Sequence, residues 1–291
     1  MSYPGIHSHT SSVYTTAARR SSGQFATPSS RGTTPSSQGK GGEGSAKNAQ
    51  RYGFLIDQRD GNKRRAGDVG FDKNTLYVPE KFMREFSNFE RQYWEIKKNN
   101  WDTIVFFKKG KFYELYEKDA DIGAAEFDLK MTDRVNMKMV GVPEKTFVTW
   151  AAKFIGLGYK VARVDERESN LEKNMREKKE KGKKKGSIIQ RTLSFILTAG
   201  TLTGDMVVGD EATYIMAVKE EFSLEGAHYG IVFCDAATGQ FSLVEFADDP
   251  GRTLFETLMV QIKPKEIILE RGCYSDSTKQ IIRNCLNTPI L

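Results

Sequence analysis

The stretch GKFYELYEKDA, residues 110–120, carries the decisive pattern of this chain. Side chains alternate across a strand, so Phe112, Glu114 and Tyr116 share one face and Tyr113 and Leu115 the other. The second face is an ordinary core face. The first sets a carboxylate between two aromatics, and an ionised Glu does not belong in a core without a partner. Two arrangements satisfy the pattern. In one, Phe112 is an exposed wedge, Glu114 is a nearby hydrogen-bond acceptor, and Lys108, Lys109 and Lys111 contact a phosphate backbone. In the other, the hairpin is half buried, Phe112 packs in the core and Glu114 pairs with a lysine.

Working outward, Thr103–Phe107 reads as the preceding strand, with Lys108-Lys109-Gly110 as the turn of a hairpin. Pro79 stands at a first helical position, and Phe82, Phe86, Phe89, Tyr93 and Ile96 trace one face of a helix over about 80–98. A short helix is expected over 117–125 and an extended run over Met139–Val142. A second amphipathic helix carries Phe147, Trp150, Ala151 and Phe154 and closes at Gly156 and Gly158; a strand, Tyr159–Asp165, follows. Glu166–Gly186 lacks apolar periodicity and reads as a frayed helix or loop, and Ile188–Ala199 as a strand returning to the same α/β domain.

Beyond it, Ala212–Lys219, Gly230–Asp235 and Gln240–Phe246 are β-like, with Ala236–Gly239 a tight connection suited to positive φ at Gly239. Leu254, Leu258 and Ile262 mark a helix, Glu266–Leu269 a strand, and Ile281, Ile282 and Leu286 another helix. A three-stranded meander followed by helix, strand and helix suggests an RNase H-like order, incomplete at Leu291.

Composition bounds the function. Residues 1–50 are rich in Ser, Thr and Gly with a single acid, Glu43, and read with the next residues as a disordered basic arm over 1–68. The GKGGEG at 39–44 formally matches G-x-G-x-x-G but lacks the flanking strand and helix. Lys63-Arg64-Arg65 reads as solvated loop charge, with a nuclear-import patch as the alternative. The net charge of +6 is uneven: residues 1–65 hold 10 Lys/Arg against 3 Asp/Glu, 66–172 hold 18 against 19, 173–185 hold 8 against 2, and 186–291 hold 8 against 14. Any DNA contact by the folded part must therefore be local, and the 173–185 run reads as a solvated loop, with a segment trailing on DNA as the alternative. Cys234, Cys273 and Cys285 are too scattered for a disulfide framework or zinc site and suit a reducing compartment. Three His residues make a His-based metal or catalytic centre improbable. The sequence shows neither a membrane-length apolar run nor a secretory signal.

GKFYELY followed by KDA resembles the Phe-x-Glu signature of the MutS family of DNA mismatch-repair proteins. GVPE at 141–144, GYKVARVDE at 158–166, LTAGTLTGD at 197–205 and GIVFCDAATGQFSLVEF at 230–246 resemble, in order, the family's Gly-hydrophobic-Pro segment, its following strand, its exit into the connector domain and the connector's paired strands. DTIVFFKKGKFYELYEKDA and FDLKMTDRV (127–135) most resemble the eukaryotic branch called MutS homologue six. The likeness spans about residues 70–291.

The resemblance implies a disordered arm (1–68), a mixed α/β mismatch-binding domain (69–186), a linker strand (187–201) and a truncated RNase H-like connector (202–291). It implies that Phe112 inserts at a mispaired base from the minor groove and that Glu114 accepts a hydrogen bond from that base. It also implies mismatched duplex DNA, a MutS-like partner subunit in a heterodimer, MutL-type repair factors and a nuclear location. The family's ATPase uses ATP and Mg, but no G-x-x-x-x-G-K-[ST] occurs here, so the chain is expected to hold no cofactor and to be no enzyme itself. An enzyme of another class remains as an alternative: a metal-dependent nuclease using Asp235 with Glu245 and Asp248. Against it stands the plainer reading of Asp235 as a hairpin-turn residue. A truncated product without independent function is the third possibility.

Overall fold

Residues 51–134, 136–179, 188–202, 213–223 and 226–286 are described in the computed structural model, all within the compact unit Gly42–Leu291. The 110–120 stretch lies inside a six-stranded mixed sheet of order β3-β4-β2-β1-β5-β6. Its strands are β1 (Thr103–Lys109), β2 (Phe112–Tyr116), β3 (Thr132–Arg134), β4 (Met137–Pro143), β5 (Lys160–Glu166) and β6 (Arg191–Leu197). β1 and β5 run parallel, and the other neighbours are antiparallel. The expected hairpin is present, with Lys109 opposite Phe112 and Phe107 opposite Glu114.

Alternation along these strands builds two cores. One face carries Ile104, Phe106, Tyr113, Leu115, Val140, Val142 and Val161 against two helices, α3 (Lys118–Phe127) and α4 (Phe147–Gly156). The other carries Val105, Phe107, Tyr116, Met139, Ala162 and Val164 against α1 (Glu80–Glu85), α2 (Asn88–Lys97) and the segment around Tyr52 and Phe54. β1 is pinned at its start by the buried pair Lys97–Asp119: the carboxylate accepts from Lys97 Nζ at 2.7 Å and from the Val105 N–H at 2.9 Å. Burial pushes Asp119 above, and Lys97 below, its ordinary pKa.

Two expectations are corrected. The arm does not extend to residue 68. Tyr52 and Phe54 are buried against Phe86 and Trp94, and Arg51 and Tyr52 bond Glu90. Buried Asp60 then gathers the following loop by accepting from the backbone N–H groups of Asn62, Arg64 and Asp72 and from Arg64 Nε. Within that loop Arg64 pairs with Asp60, Arg65 with Asp57, and Lys63 lies over Tyr77, so the three cations are part of folded structure. Residues 1–50 lie outside the described residues.

The single helix over 80–98 is two helices. Phe86 is extended at ψ 142°, and Ser87 starts α2 with a capping box: its hydroxyl accepts from the Glu90 N–H while the Glu90 carboxylate accepts from the Ser87 N–H. Of the two readings of 166–186, frayed helix or loop, residues 170–179 take the helix, α5 (Asn170–Lys179), started by the same reciprocal pattern between Ser169 and Glu172. The rest of the basic run, 180–185, lies outside the described residues. The strand expected over 188–199, returning to the first domain, is β6. It is the edge strand of the first sheet, paired with β5 from Arg191 to Leu197.

The second sheet has the order β10-β7-β8-β9. It consists of β7 (Tyr214–Ser223), β8 (Gly226–Asp235), β9 (Phe241–Asp248) and β10 (Glu266–Leu269), with β10 parallel to β7. The expected meander, helix, strand and helix are all there. Helices α6 (Thr253–Ile262) and α7 (Asp276–Cys285) cover one face through Phe255, Met259, Ile281 and Ile282, packed on Met216, Val218, Tyr229 and Ile231. Gly239 takes the left-handed φ of 70° that the β8–β9 connection requires.

Candidate nucleic-acid interface

The β1–β2 turn ends the first sheet with Gly110 at φ 60°, its N–H held by Glu166 at 3.2 Å. Phe112 is the first residue of β2, between Lys109 and Pro143 on the neighbouring strands. Its side chain is left half open: Phe112 is 50% exposed. Tyr113, one residue on, points to the other face and is fully buried. The sheet thus presents one aromatic ring at its end from a strand buried on both faces.

Glu114 follows on the same face, about 7 Å further along the strand. It is only 3% exposed, between Phe107 and Gly141. Its carboxylate is compensated as burial demands. The Tyr116 hydroxyl donates to it, Lys109 Nζ lies at 3.3 Å and Arg134 Nη1 at 3.4 Å. Burial and the adjacent Glu114 charge push the Tyr116 phenol well above its ordinary pKa. Each arrangement foreseen for the hairpin is therefore realised in one half: the ring is exposed, and the carboxylate is buried and paired with a lysine.

The three candidate phosphate-contacting lysines separate. Lys108 is buried, ion-paired with Glu144 and placed over the Tyr113 ring at 5.0 Å, so it is no surface contact. It shares the strand face of Tyr113, which alternation along β1 dictates. Lys109 is partly exposed, divided between Glu114 and the Phe89 ring at 4.9 Å. Lys111 is exposed and has no ion pair among the described residues. Arg134 and Tyr116 escaped the sequence reading as partners of Glu114. Tyr116 was legible two residues along the strand, whereas Arg134 arrives from β3, which has no apolar alternation to announce it.

Glu117 ends the motif in a strained backbone conformation, φ 48° and ψ −118°. It is buried, and its carboxylate accepts from the Lys138 N–H at 2.9 Å. Burial, only partly offset by that bond, pushes its pKa up to about 7.

The three carboxylates of the nuclease alternative, Asp235, Glu245 and Asp248, do not converge. Asp235 is a turn residue, its carboxylate accepting from the Ala237 N–H and the Thr238 hydroxyl. Glu245 pairs with Gly230, five residues back along β8, which puts it about 17 Å away along the ladder. Asp248 is buried and accepts from the N–H groups of Leu254 and Phe255 at the start of α6. Among the described residues no three His, Cys, Asp or Glu side chains are grouped to hold a metal ion. None of the described helices is long and apolar enough to cross a membrane.

Residues 87–206 match the family model for MutS domain I, and residues 213–290 that for MutS domain II. The chain is 44% identical over 268 residues to the DNA mismatch repair protein MSH6 of Saccharomyces cerevisiae, an alignment covering 86% of this chain and 21% of the relative. It is 34% identical over 238 residues to Msh6 of Homo sapiens, covering 79% of this chain and 17% of the relative. A bacterial protein, MutS of Syntrophomonas wolfei, is 31% identical over 192 residues, covering 64% and 21% respectively. The chain thus spans about a fifth of the length of these relatives.

Proposed function

Because this chain belongs to the MutS family, with matches to domains I and II, we propose that it supplies the mismatch-reading portion of a DNA mismatch-repair protein. In this reading Phe112 inserts beside a mispaired base and Glu114 accepts a hydrogen bond from it. The observation that carries it is the half-exposed Phe112 ring at the end of a strand otherwise buried on both faces. Such a ring exploits the ease with which a mismatched step unstacks and kinks. A duplex without a defect resists by a few kcal/mol more.

The burial of Glu114 adds a condition. To meet a base it must give up a partner, and the exposed Arg134 at 3.4 Å is the most readily displaced. Until then the pairing keeps its charge from repelling phosphates. In the whole protein the reading extends to a heterodimer with a MutS-like subunit, MutL-type repair factors, an ATP- and Mg-dependent step outside domains I and II, and action in the nucleus. A nuclease on the second sheet is not favoured, given the separation of Asp235 from Glu245 and the capping role of Asp248.

The test is Phe112→Ala in the full-length protein with its partner subunit. Discrimination between a G·T mismatch and matched duplex should fall by the stacking contribution of one base, about 1–3 kcal/mol, while binding to matched duplex changes less. Unaltered discrimination in a titration of both duplexes would refute the assignment.

A further inference from the structure

The acids around the turn that bears Phe112 are engaged. Glu144 is paired with Lys108, Glu166 with Arg191 at 2.8 Å, Asp165 with Arg163 at 2.9 Å, Glu168 with Arg176 at 2.6 Å, and Glu114 with Lys109 and Arg134. Three cations at the same end have no ion pair among the described residues, and all three are exposed: Lys111, Lys145 and Arg167. Sheet topology brings them together. β1 and β5 are parallel and finish at this end, so Lys111 follows β1 and Arg167 follows β5. β4 also finishes here, Pro143 opposite Phe112, and Lys145 comes two residues later. The turn ties these ends directly: the Glu144 N–H donates to the Lys111 carbonyl at 2.9 Å, and the Gly110 N–H to Glu166.

Strands β4, β2, β1 and β5 are consecutive neighbours, so the ends bearing Lys145 and Arg167 lie about 14 Å apart, at about 4.8 Å per step. Phe112 on β2 falls between them. The DNA minor groove is about 6 Å wide, so an arc of this span places a cation beyond each wall when the ring faces the groove. We propose that Lys111, Lys145 and Arg167 form a rim that grips phosphates on both strands of a duplex, flanking the groove that Phe112 enters. This proposal rests on the mismatch-reading function but concerns a separate quantity. The rim sets sequence-independent affinity and register, and the ring sets discrimination.

Counterion release isolates the rim's contribution. The 291-residue chain, bound to labelled matched and G·T duplexes, is titrated over a series of NaCl concentrations. Lys145→Ala combined with Arg167→Ala should flatten the slope of log K against log [NaCl] by about 1.8, two phosphate contacts at about 0.9 each. That is about 12-fold less loss of affinity between about 50 and 200 mM salt, equal on both duplexes. Lys73→Ala with Lys118→Ala is the charge-matched control. Both residues lie at the opposite end of β1, beside the Trp101 region, and should leave the slope unchanged. Circular dichroism should show both double variants folded: among the described residues the Lys73, Lys145 and Arg167 side chains make no ion pair, Lys118 lies only over the Trp101 ring, and the Arg167 N–H bond to Gln190 survives substitution.

A rim variant with the control's slope overturns the proposal, as does a wild-type chain that binds neither duplex at low salt. A loss of binding to an acidic peptide such as polyglutamate, without a change on DNA, also overturns it, in favour of a protein partner. These readouts are independent of Phe112→Ala in the heterodimer. A flat slope response with intact ring-dependent discrimination sinks the rim alone, and the converse sinks the wedge alone.

Discussion

Glu117→Gln should stabilise this protein, and only above mildly acidic pH. The carboxyl is buried, its pKa raised from 4.5 to about 7, chiefly by loss of hydration. Lys138 favours its charge; Asp121 and Asp133 oppose it. A raised carboxyl pKa means the folded state holds a proton that the unfolded chain has released. Stability therefore falls as pH rises from about 4.5 to about 7, and is level beyond. At about 1.4 kcal/mol per pH unit the full cost approaches about 3 kcal/mol, an upper bound because the group is not completely dry. Glutamine keeps an oxygen for the Lys138 N–H and has no charge to desolvate. Urea unfolding followed by tryptophan fluorescence reports on it, since Trp94, Trp101 and Trp150 all pack on the first sheet. Wild type and variant should coincide near pH 4.5, separate progressively to about pH 7 and stay equally far apart to pH 8, the variant being more stable. Parallel curves across that range would refute the reasoning, because they would mean that Glu117 ionises without cost in the fold.

Three further outcomes are expected. Tyr116→Phe removes the hydroxyl that donates to the buried Glu114 carboxylate and should cost about 1–3 kcal/mol of stability, read from the same urea curves. Asp60→Ala leaves the backbone donors of Asn62, Arg64 and Asp72 without their acceptor. Limited proteolysis should then cut within 61–71 far faster than in wild type, whereas equal rates would mean that the loop is already open. Asp235→Asn should leave no Mg²⁺- or Mn²⁺-dependent DNA cleavage to lose; cleavage by wild type that vanishes in the variant would restore the nuclease alternative.

Much of the fold was legible because it is written in apolar periodicity. The β1–β2 hairpin, α4, β5 and the meander of the second sheet all follow from alternation or helical spacing, and each lies where the pattern put it. The failures share a cause: polar groups decide the structure there. The 57–72 loop is held by hydrogen bonds to one buried aspartate, so its composition resembles that of a disordered arm. The break at Phe86 is made by Ser87 and Glu90, inside an apolar spacing that continues undisturbed through it. β3 is three exposed residues with no face to bury. Lys108 was grouped with Lys109 and Lys111 by charge, although strand alternation sets it on the face of Tyr113.

The same distinction separates the two parts of the proposed wedge. A ring that must force open a base step needs a support stiffer than the step. Phe112 has that support: β2 is an interior strand, covered on both faces from Tyr113 to Tyr116, and the adjacent β1 is pinned by Lys97 and Asp119. Glu114 needs the opposite property. It is held by Tyr116, Lys109 and Arg134; in the proposed reading it stays silent towards intact duplex and gives its acceptor only where a base donor replaces a cation. The exchange is close to neutral when a donor is present and unfavourable when none is, so the penalty falls on properly paired sites. A carboxylate freely exposed beside the ring would repel phosphates at every site alike and add no discrimination. Burial of Glu114, which at first sight argues against contact with DNA, is on this account what makes the contact selective.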